Sequence, residues 1–318
     1  MAEPRARDTE QALRDIEVID THMLGVAGIT ATYVIRGEQT ALIETGPKSS
    51  VEHVLSGLES CGVSALDWIV VTHIHLDHAG AAGTLAQRFP TARVAVHPLG
   101  APHLIDPSKL WTSAARIYGD AMTRMWGGVD ALAAERIHIL EDGDSIDLGG
   151  RTLTAIETPG HAYHHHVFLD DLSGTVFVGD ALGVRLGDAG IVRPATPPPE
   201  FHLAKAVESI ARINSLGATA MWLTHFSRHD DGGGSSVAAV CDEAAAGLRR
   251  WGSWVQAARD EGAGDLDSAT TYVAKRARAE LEAKLSEEAA DRVEATTSTR
   301  MNTWGYLRYL EKKEAPSP

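Results

Sequence analysis

The chain is poor in cysteine, in positive charge and in long apolar runs, and each shortage excludes something. Its two cysteines, Cys61 and Cys241, are too few for a disulfide framework. Neither lies in a motif loop that would make it a metal ligand, so each reads as a small buried apolar residue. No apolar run approaches the roughly 20 residues of a membrane span. Residues 1–15 are charged and lack an apolar stretch, so no secretory signal is expected and a cytoplasmic location is the default. Positive charge is scarce: 29 Lys and Arg stand against 43 Asp and Glu, a formal net charge of −14. Nucleic-acid binding wants clustered Lys and Arg. The basic pairs present, Arg249-Arg250, Lys275-Arg276 and Lys312-Lys313, alternate with acidic residues and read as solvated helix faces. The expected partner is therefore a small-molecule substrate, with no nucleic acid and no membrane. Association of the chain with itself stays open.

What is present points to metal chemistry. In Thr72-His73-Ile74-His75-Leu76-Asp77-His78-Ala79-Gly80, three imidazoles and a carboxylate fall within six positions. The run follows a strand-like stretch, Trp68 to Val71, and precedes a helix-like one, Ala79 to Phe89. His73 and His75 share a face if the strand extends to them, and Asp77 and His78 can aim from the turn at a neighbouring point. Nitrogen ligands for one metal beside a mixed oxygen and nitrogen set for a second is what a two-metal hydrolase needs. A histidine-rich surface loop is the alternative. Three further candidates count against it, because each ends a strand-like run: His161 in Thr158-Pro159-Gly160-His161, Asp180 in Val178-Gly179-Asp180, and His225 in Leu223-Thr224-His225.

With these motifs the sequence resembles the metallo-β-lactamase-fold hydrolases, closest to the glyoxalase II-like branch, over roughly residues 15–230. The resemblance implies an αββα sandwich with metals at one edge of two sheets. It implies that His73, His75 and His161 bind a first metal, that Asp77, His78 and His225 bind a second, and that Asp180 bridges them. Asp77 and Asp180 would be the catalytic carboxylates, attack coming from a metal-bridging hydroxide on an ester, thioester or lactone. Zinc is the first choice for both metals, with iron or manganese also suited to imidazole and carboxylate ligands. Glu44, Thr72 and Thr224 are candidates for orienting the imidazoles. Glyoxalase II proper usually carries Gly-Asp-Thr-Leu-Phe at the bridging aspartate. Here the run is Gly179-Asp180-Ala181-Leu182-Gly183, which argues against glutathione thioesters. Acyl-homoserine lactonases typically place a tyrosine three residues after that aspartate, where this chain has Gly183. The runner-up is a mononuclear iron persulfide dioxygenase, using the counterparts of His73, His161 and Asp180. A non-enzymatic binding module would normally have lost ligands, and all seven are here.

Strands are expected at 16–19, 30–35, 41–43, 68–72, 93–96, 152–157, 166–169, 175–178 and 219–223, with a helix over 49–58. The metal-binding domain is assigned to residues 1–231, with a helical insertion at about 100–136 that runs as helix from Ser108 to Trp126. A C-terminal helical extension is assigned to 235–318, its helices at 237–261, 268–285 and 286–313, after a glycine-rich hinge at 230–234. Gly262 and Gly264 end the first of these and Asp267 caps the second. Six of the eighteen Phe, Trp and Tyr residues fall in the insertion and the final helix. Trp111 and Tyr306 are therefore expected in a substrate pocket, with His22 and Tyr163 as further candidate contacts. Of the three consecutive histidines, His164, His165 and His166, most are expected to be structural or solvated.

Overall fold

The structure is a computed structural model that describes residues 11–185, 191–230 and 236–314. Apolar alternation builds two six-stranded sheets from it. The first sheet is ordered β1 (Ile16–Asp20), β2 (Ala31–Arg36), β3 (Thr40–Ile43), β4 (Trp68–Val70), β5 (Arg93–Val96) and β6 (Ile137–Ile139). It is antiparallel from β1 to β3 and parallel from β3 to β6. The second is ordered β7 (Ser145–Asp147), β8 (Thr152–Glu157), β9 (His166–Asp170), β10 (Thr175–Gly179), β11 (Ala220–Leu223) and β12 (Ser227–Asp230). It is antiparallel except for the parallel pair β10 and β11.

Because side chains alternate across a strand, each sheet feeds two apolar layers. Tyr33, Ile35 and Ile43 of the first sheet meet Phe168, Phe177 and Trp222 of the second between the sheets. The residues between these positions face outward. Val34, Leu42 and Val94 pack under α1 (Val51–Ser60), α2 (Leu76–Ala79) and α3 (Ala82–Arg88). Val176, Val178 and Met221 pack on the other side, under α7 (Leu203–Ser215) and the C-terminal helices. The result is the expected αββα arrangement. Tyr33 donates its hydroxyl proton to the Leu223 carbonyl across the interior. Buried Arg151 clamps Asp170 through two hydrogen bonds of 2.8 and 2.6 Å and holds the Ala12 carbonyl at 3.0 Å.

The insertion is not one helix. It breaks into α4 (Ala101–Ile105), α5 (Ser108–Tyr118) and α6 (Met122–Trp126). Gly119, at φ 51° and ψ −130°, ends α5 in a conformation that a side chain would disfavour. Likewise the expected helix 79–89 divides at Gly80-Ala81 into α2 and α3. After α8 (Val237–Asp260) and α9 (Leu266–Glu282), the expected helix 286–313 divides into α10 (Glu287–Thr296) and α11 (Thr299–Glu314). Thr297 is extended there, and its hydroxyl ties back to the Val293 carbonyl at 2.7 Å. Asp265, not Asp267, caps α9, accepting from the amides of Asp267 and Ser268. Gly262 follows α8 at φ 87°, as expected. Strands β6, β7 and β12, three or four residues each, were not expected from the sequence.

Helices α8, α9 and α11 share one core with the second sheet, since Trp251, Val273 and Tyr306 belong to the same apolar cluster as Val176 and Met221. The glycine-rich segment at 231–234 lies outside the described residues. Cys241 is buried in this core, and burial pushes its thiol up to about 12; Cys61 is only half-buried. Among the described residues, no helix is long and apolar enough to cross a membrane.

Candidate metal centre

All seven candidate ligands lie where strands end. His73 and His75 sit in the loop after β4, which stops at Val70, so they meet through the loop and not through strand alternation. Asp77 and His78 form the first turn of α2. His161 follows β8, Asp180 follows β10 and His225 follows β11. Gly160, at φ 141°, sets up His161; a Cβ there would lie 2.3 Å from the Ala206 backbone.

Two groups of nitrogens face each other across one carboxylate. His75 Nδ1 lies 2.9 Å from both His73 Nε2 and His161 Nε2. On the other side, His225 Nε2 is 3.4 Å from Asp77 Oδ2, and His78 Nε2 is 3.8 Å from the same oxygen. Asp180 stands between: its Oδ2 is 3.4 Å from His161 Nε2, while its Oδ1 is 3.3 Å from His78 Nε2 and 3.5 Å from His225 Nε2. Three sets of ligand atoms are close enough to hold an ion: His73, His75 and His161; His73, His78 and Asp180; and Asp77, His78 and His225.

The surroundings decide which nitrogens carry protons. Thr72 gives its hydroxyl proton to Glu44 Oε1 at 2.5 Å, so its oxygen is free to accept from His73 Nδ1 at 3.0 Å. His161 Nδ1 donates to the Ala195 carbonyl at 2.8 Å, and His225 Nδ1 to the Ile29 carbonyl at 3.0 Å. A neutral imidazole has one N–H. Spending it outward leaves the Nε2 lone pairs of His73, His161 and His225 turned inward. Lone pairs converging in a buried space repel unless a cation or proton lies between them. Buried His78 Nε2 and Asp180 Oδ1 also make no aligned hydrogen bond. The donor set therefore fits divalent metal.

Glu44 is buried beside this set at φ 63°, a conformation that costs a non-glycine residue about 1–3 kcal/mol. Its Oε1 also receives Thr224 Oγ1 at 3.3 Å and lies 3.2 Å from His78 Nδ1. His165, one of the three consecutive histidines expected to be mostly structural or solvated, is structural. It is fully buried, accepts from the Asp180 amide at 3.2 Å and pairs with Thr158 Oγ1 at 2.9 Å, so it holds the backbone of Asp180.

Electrostatics separates the two groups. Burial, then neighbouring imidazoles, depress His73 and His75 well below the ordinary range. Burial also lowers His161, although Asp180 partly offsets it. Burial opposes charge on His78 and His225 too, but there the carboxylates win and both are raised: Asp180, Glu44 and Asp77 around His78, Asp180 and Asp77 around His225. For Asp77, burial is outweighed by His78 and His225, and its carboxyl falls to about 2.

A cavity of about 640 Å³ opens over the centre, and His75, Asp77, His161, Asp180 and His225 reach it. The insertion and the junction of α10 with α11 wall it. Tyr118, Met125, Trp126 and Met301 line it, whereas Trp111, Tyr163, Tyr306 and His22 are not among the lining residues. Tyr306 is buried against Phe201 and donates to the Leu248 carbonyl at 2.7 Å. Trp111 packs on the cluster of Met23, Leu76, Met122 and Trp126. Tyr163 lies under the Lys205 ammonium, and His22 stacks on His53. Of the three consecutive histidines, only His164 lines the cavity; His165 and His166 are fully buried. The segment Pro197-Pro198-Pro199 also lines it, and nothing in its sequence announced that.

A family model described as the metallo-beta-lactamase superfamily matches residues 25–225. A metallo-beta-lactamase fold-containing protein of Sulfurisphaera tokodaii is 34% identical over 203 residues, covering 62% of this chain and 72% of that protein. A hydroxyacylglutathione hydrolase of Acidiphilium cryptum is 28% identical over 223 residues, covering 67% and 74%. A crystal structure of an archaeal metallo-beta-lactamase superfamily protein from Sulfolobus tokodaii superposes with a TM-score of 0.58 at 26% identity, over 74% of this chain and 98% of that one. A metallo-beta-lactamase family protein of Thermus thermophilus reaches 0.60 over 94% of both chains at 19% identity, a likeness of fold alone. Proteins of this fold bind divalent metals, and one sheet edge here gathers five histidines and two aspartates that could hold them. Two stacked sheets, that edge and a match over most of the central chain place the protein in the metallo-beta-lactamase superfamily.

Proposed function

We propose that the protein is a dinuclear metal-dependent hydrolase acting on an ester, thioester or lactone. One observation carries this reading: the two oxygens of Asp180 face different groups of imidazoles, Oδ2 toward His161 and Oδ1 toward His78 and His225. A carboxylate so placed suits two cations better than one. His73, His75 and His161 would hold the first, Asp77, His78 and His225 the second, and Asp180 both. Five imidazoles among seven ligands favour zinc. When bound, two such metals supply Lewis acidity and bring the pKa of a water down to roughly 7.

The chain's own residues do the rest. Outward hydrogen bonds from His73, His161 and His225 keep their Nε2 atoms bare. Glu44 and His165 fix His78 and Asp180. Asp77, ionised and facing the cavity, accepts the proton of the attacking water and passes it to the leaving oxygen or sulfur. The relatives named as hydroxyacylglutathione hydrolases add weight to an acyl-transfer reaction. The mononuclear iron alternative leaves Asp77, His78 and His225 gathered without a role.

The test is metal analysis of protein expressed without supplementation, with a screen of esters, thioesters and lactones against phosphodiesters and β-lactams. Two metals per chain and turnover of the acyl substrates are expected. Asp180→Ala is expected to lose metal and more than about 100-fold in kcat/KM, since several kcal/mol of charge stabilisation depend on the metals. One iron per chain with oxygen uptake would overturn the proposal, as would near-normal turnover and metal content in Asp180→Ala.

A further inference from the structure

Two walls of the cavity over the centre come from helical segments outside the two sheets. One wall comes from the insertion, with Leu110, Ile117, Tyr118 and Trp126; the facing wall includes Met301 at the start of α11. The walls touch where the Tyr118 hydroxyl meets Met301 Sδ at 3.6 Å. Burial, then the charges of Asp77 and Asp180, raise the Tyr118 phenol, so it stays neutral. At about 640 Å³ the space falls within the range of small-molecule sites, and its walls are largely aliphatic and aromatic. Charge is distributed against an anionic carrier. Among the described lining residues Lys109 is the only lysine or arginine, while Glu200 and Glu294, outside the proposed ligand set, are acidic.

We propose that this cavity is an acyl-chain subsite that takes a medium-length apolar acyl group of an uncharged ester, thioester or lactone. The inference rests on the hydrolase reading for its reaction, but not for its binding. The carbonyl would lie at the open face of Asp77 and Asp180, with the chain in the cavity along Leu110, Ile117 and Trp126. A peptide-like thiol carrier with several carboxylates finds one ammonium and no guanidinium among the described lining residues. An acyl-glutathione thioester should therefore be no better a substrate than a neutral thioester of the same acyl group.

Each methylene buried contributes about 0.8 kcal/mol, or about four-fold. With the zinc-loaded full chain, kcat/KM for para-nitrophenyl esters from acetate to decanoate is expected to rise by about that factor per methylene until the cavity is full. Ala114, a small residue in the insertion wall, offers a steric test. Ala114→Phe is expected to cut the octanoyl-to-acetyl ratio at least ten-fold, whereas Met301→Ala is expected to move the optimum to longer chains. Binding of octanoate against acetate by isothermal titration gives a readout without turnover. A flat ester series with measurable turnover overturns the acyl-chain subsite and leaves the hydrolase reading standing. Octanoate binding that follows the methylene increment, without turnover of any acyl substrate, upholds the subsite and overturns the hydrolase reading. Neither turnover nor chain-dependent binding overturns both.

Discussion

Asn302, in the second turn of α11, is expected to control the metal centre without touching it. Its Oδ1 accepts the Thr196 amide at 2.9 Å, and its Nδ2 donates to the Pro194 carbonyl at 2.7 Å. Between these partners lies Ala195, whose carbonyl receives His161 Nδ1 at 2.8 Å. Asn302 thus holds the loop that holds the imidazole. Asn302 and Thr196 are buried, so Asn302→Ala strands an amide and a carbonyl at a cost of about 1–3 kcal/mol each. Asn302 also borders the cavity, where water can reach the gap, so the total should lie near the lower end, about 2–3 kcal/mol. Loss of an outer partner of a ligating histidine typically weakens metal binding by about 10–100-fold. Acting through a loosened loop, Asn302→Ala should fall near the lower figure. Urea unfolding measures the first number and zinc competition titration the second. Met301→Ala, which breaks no bond to this loop, is the comparison. A stability loss under about 1 kcal/mol with unchanged zinc affinity would refute the reasoning.

Glu44→Gln removes the charge that His78 faces and should lower zinc affinity of the second group by about 10–100-fold, read by competition titration; an unchanged affinity would mean that Glu44 only fills space. Asp170→Asn unpairs buried Arg151 and should cost about 3–5 kcal/mol in urea unfolding, far from the centre and with metal content retained. Acidification should empty the two groups in order. His78 and His225 are raised, so protons compete there above the usual imidazole range near 6.5, whereas lowered His73, His75 and His161 resist protonation until below it. Metal content against pH should show the second group losing its ion first, and simultaneous loss would refute the order.

The seven candidate ligands were legible because each sits at the end of an apolar run, and such runs become strands wherever alternation offers two faces to bury. The spacing His-x-His-x-Asp-His is local, so it is legible even though His73 and His75 meet through a loop and not through strand alternation. Most strands were legible for the same reason. The short strands β6, β7 and β12 were not, because they form by pairing with a neighbour already in place. The helix breaks at Gly119 and Thr297 were missed because a helical pattern continues through both positions; what interrupts it is the requirement that chain on either side reach the cavity and the core.

The substrate candidates show the same division. Trp111 and Tyr306 carry the large rings expected of a pocket, yet both spend them on packing, while Tyr118, Trp126 and Met301 face the space over the centre. Periodicity marks a side chain as apolar but cannot say which of two apolar surroundings receives it. Sequence alone determined most of the strands, the ligand types and their order along the chain, because these depend on neighbours a few residues away. Only tertiary structure decided which imidazole nitrogens turn inward and which aromatics wall the cavity. Those depend on carbonyls and side chains such as Ile29, Ala195 and Asn302 that approach from distant parts of the chain, where no local pattern records them.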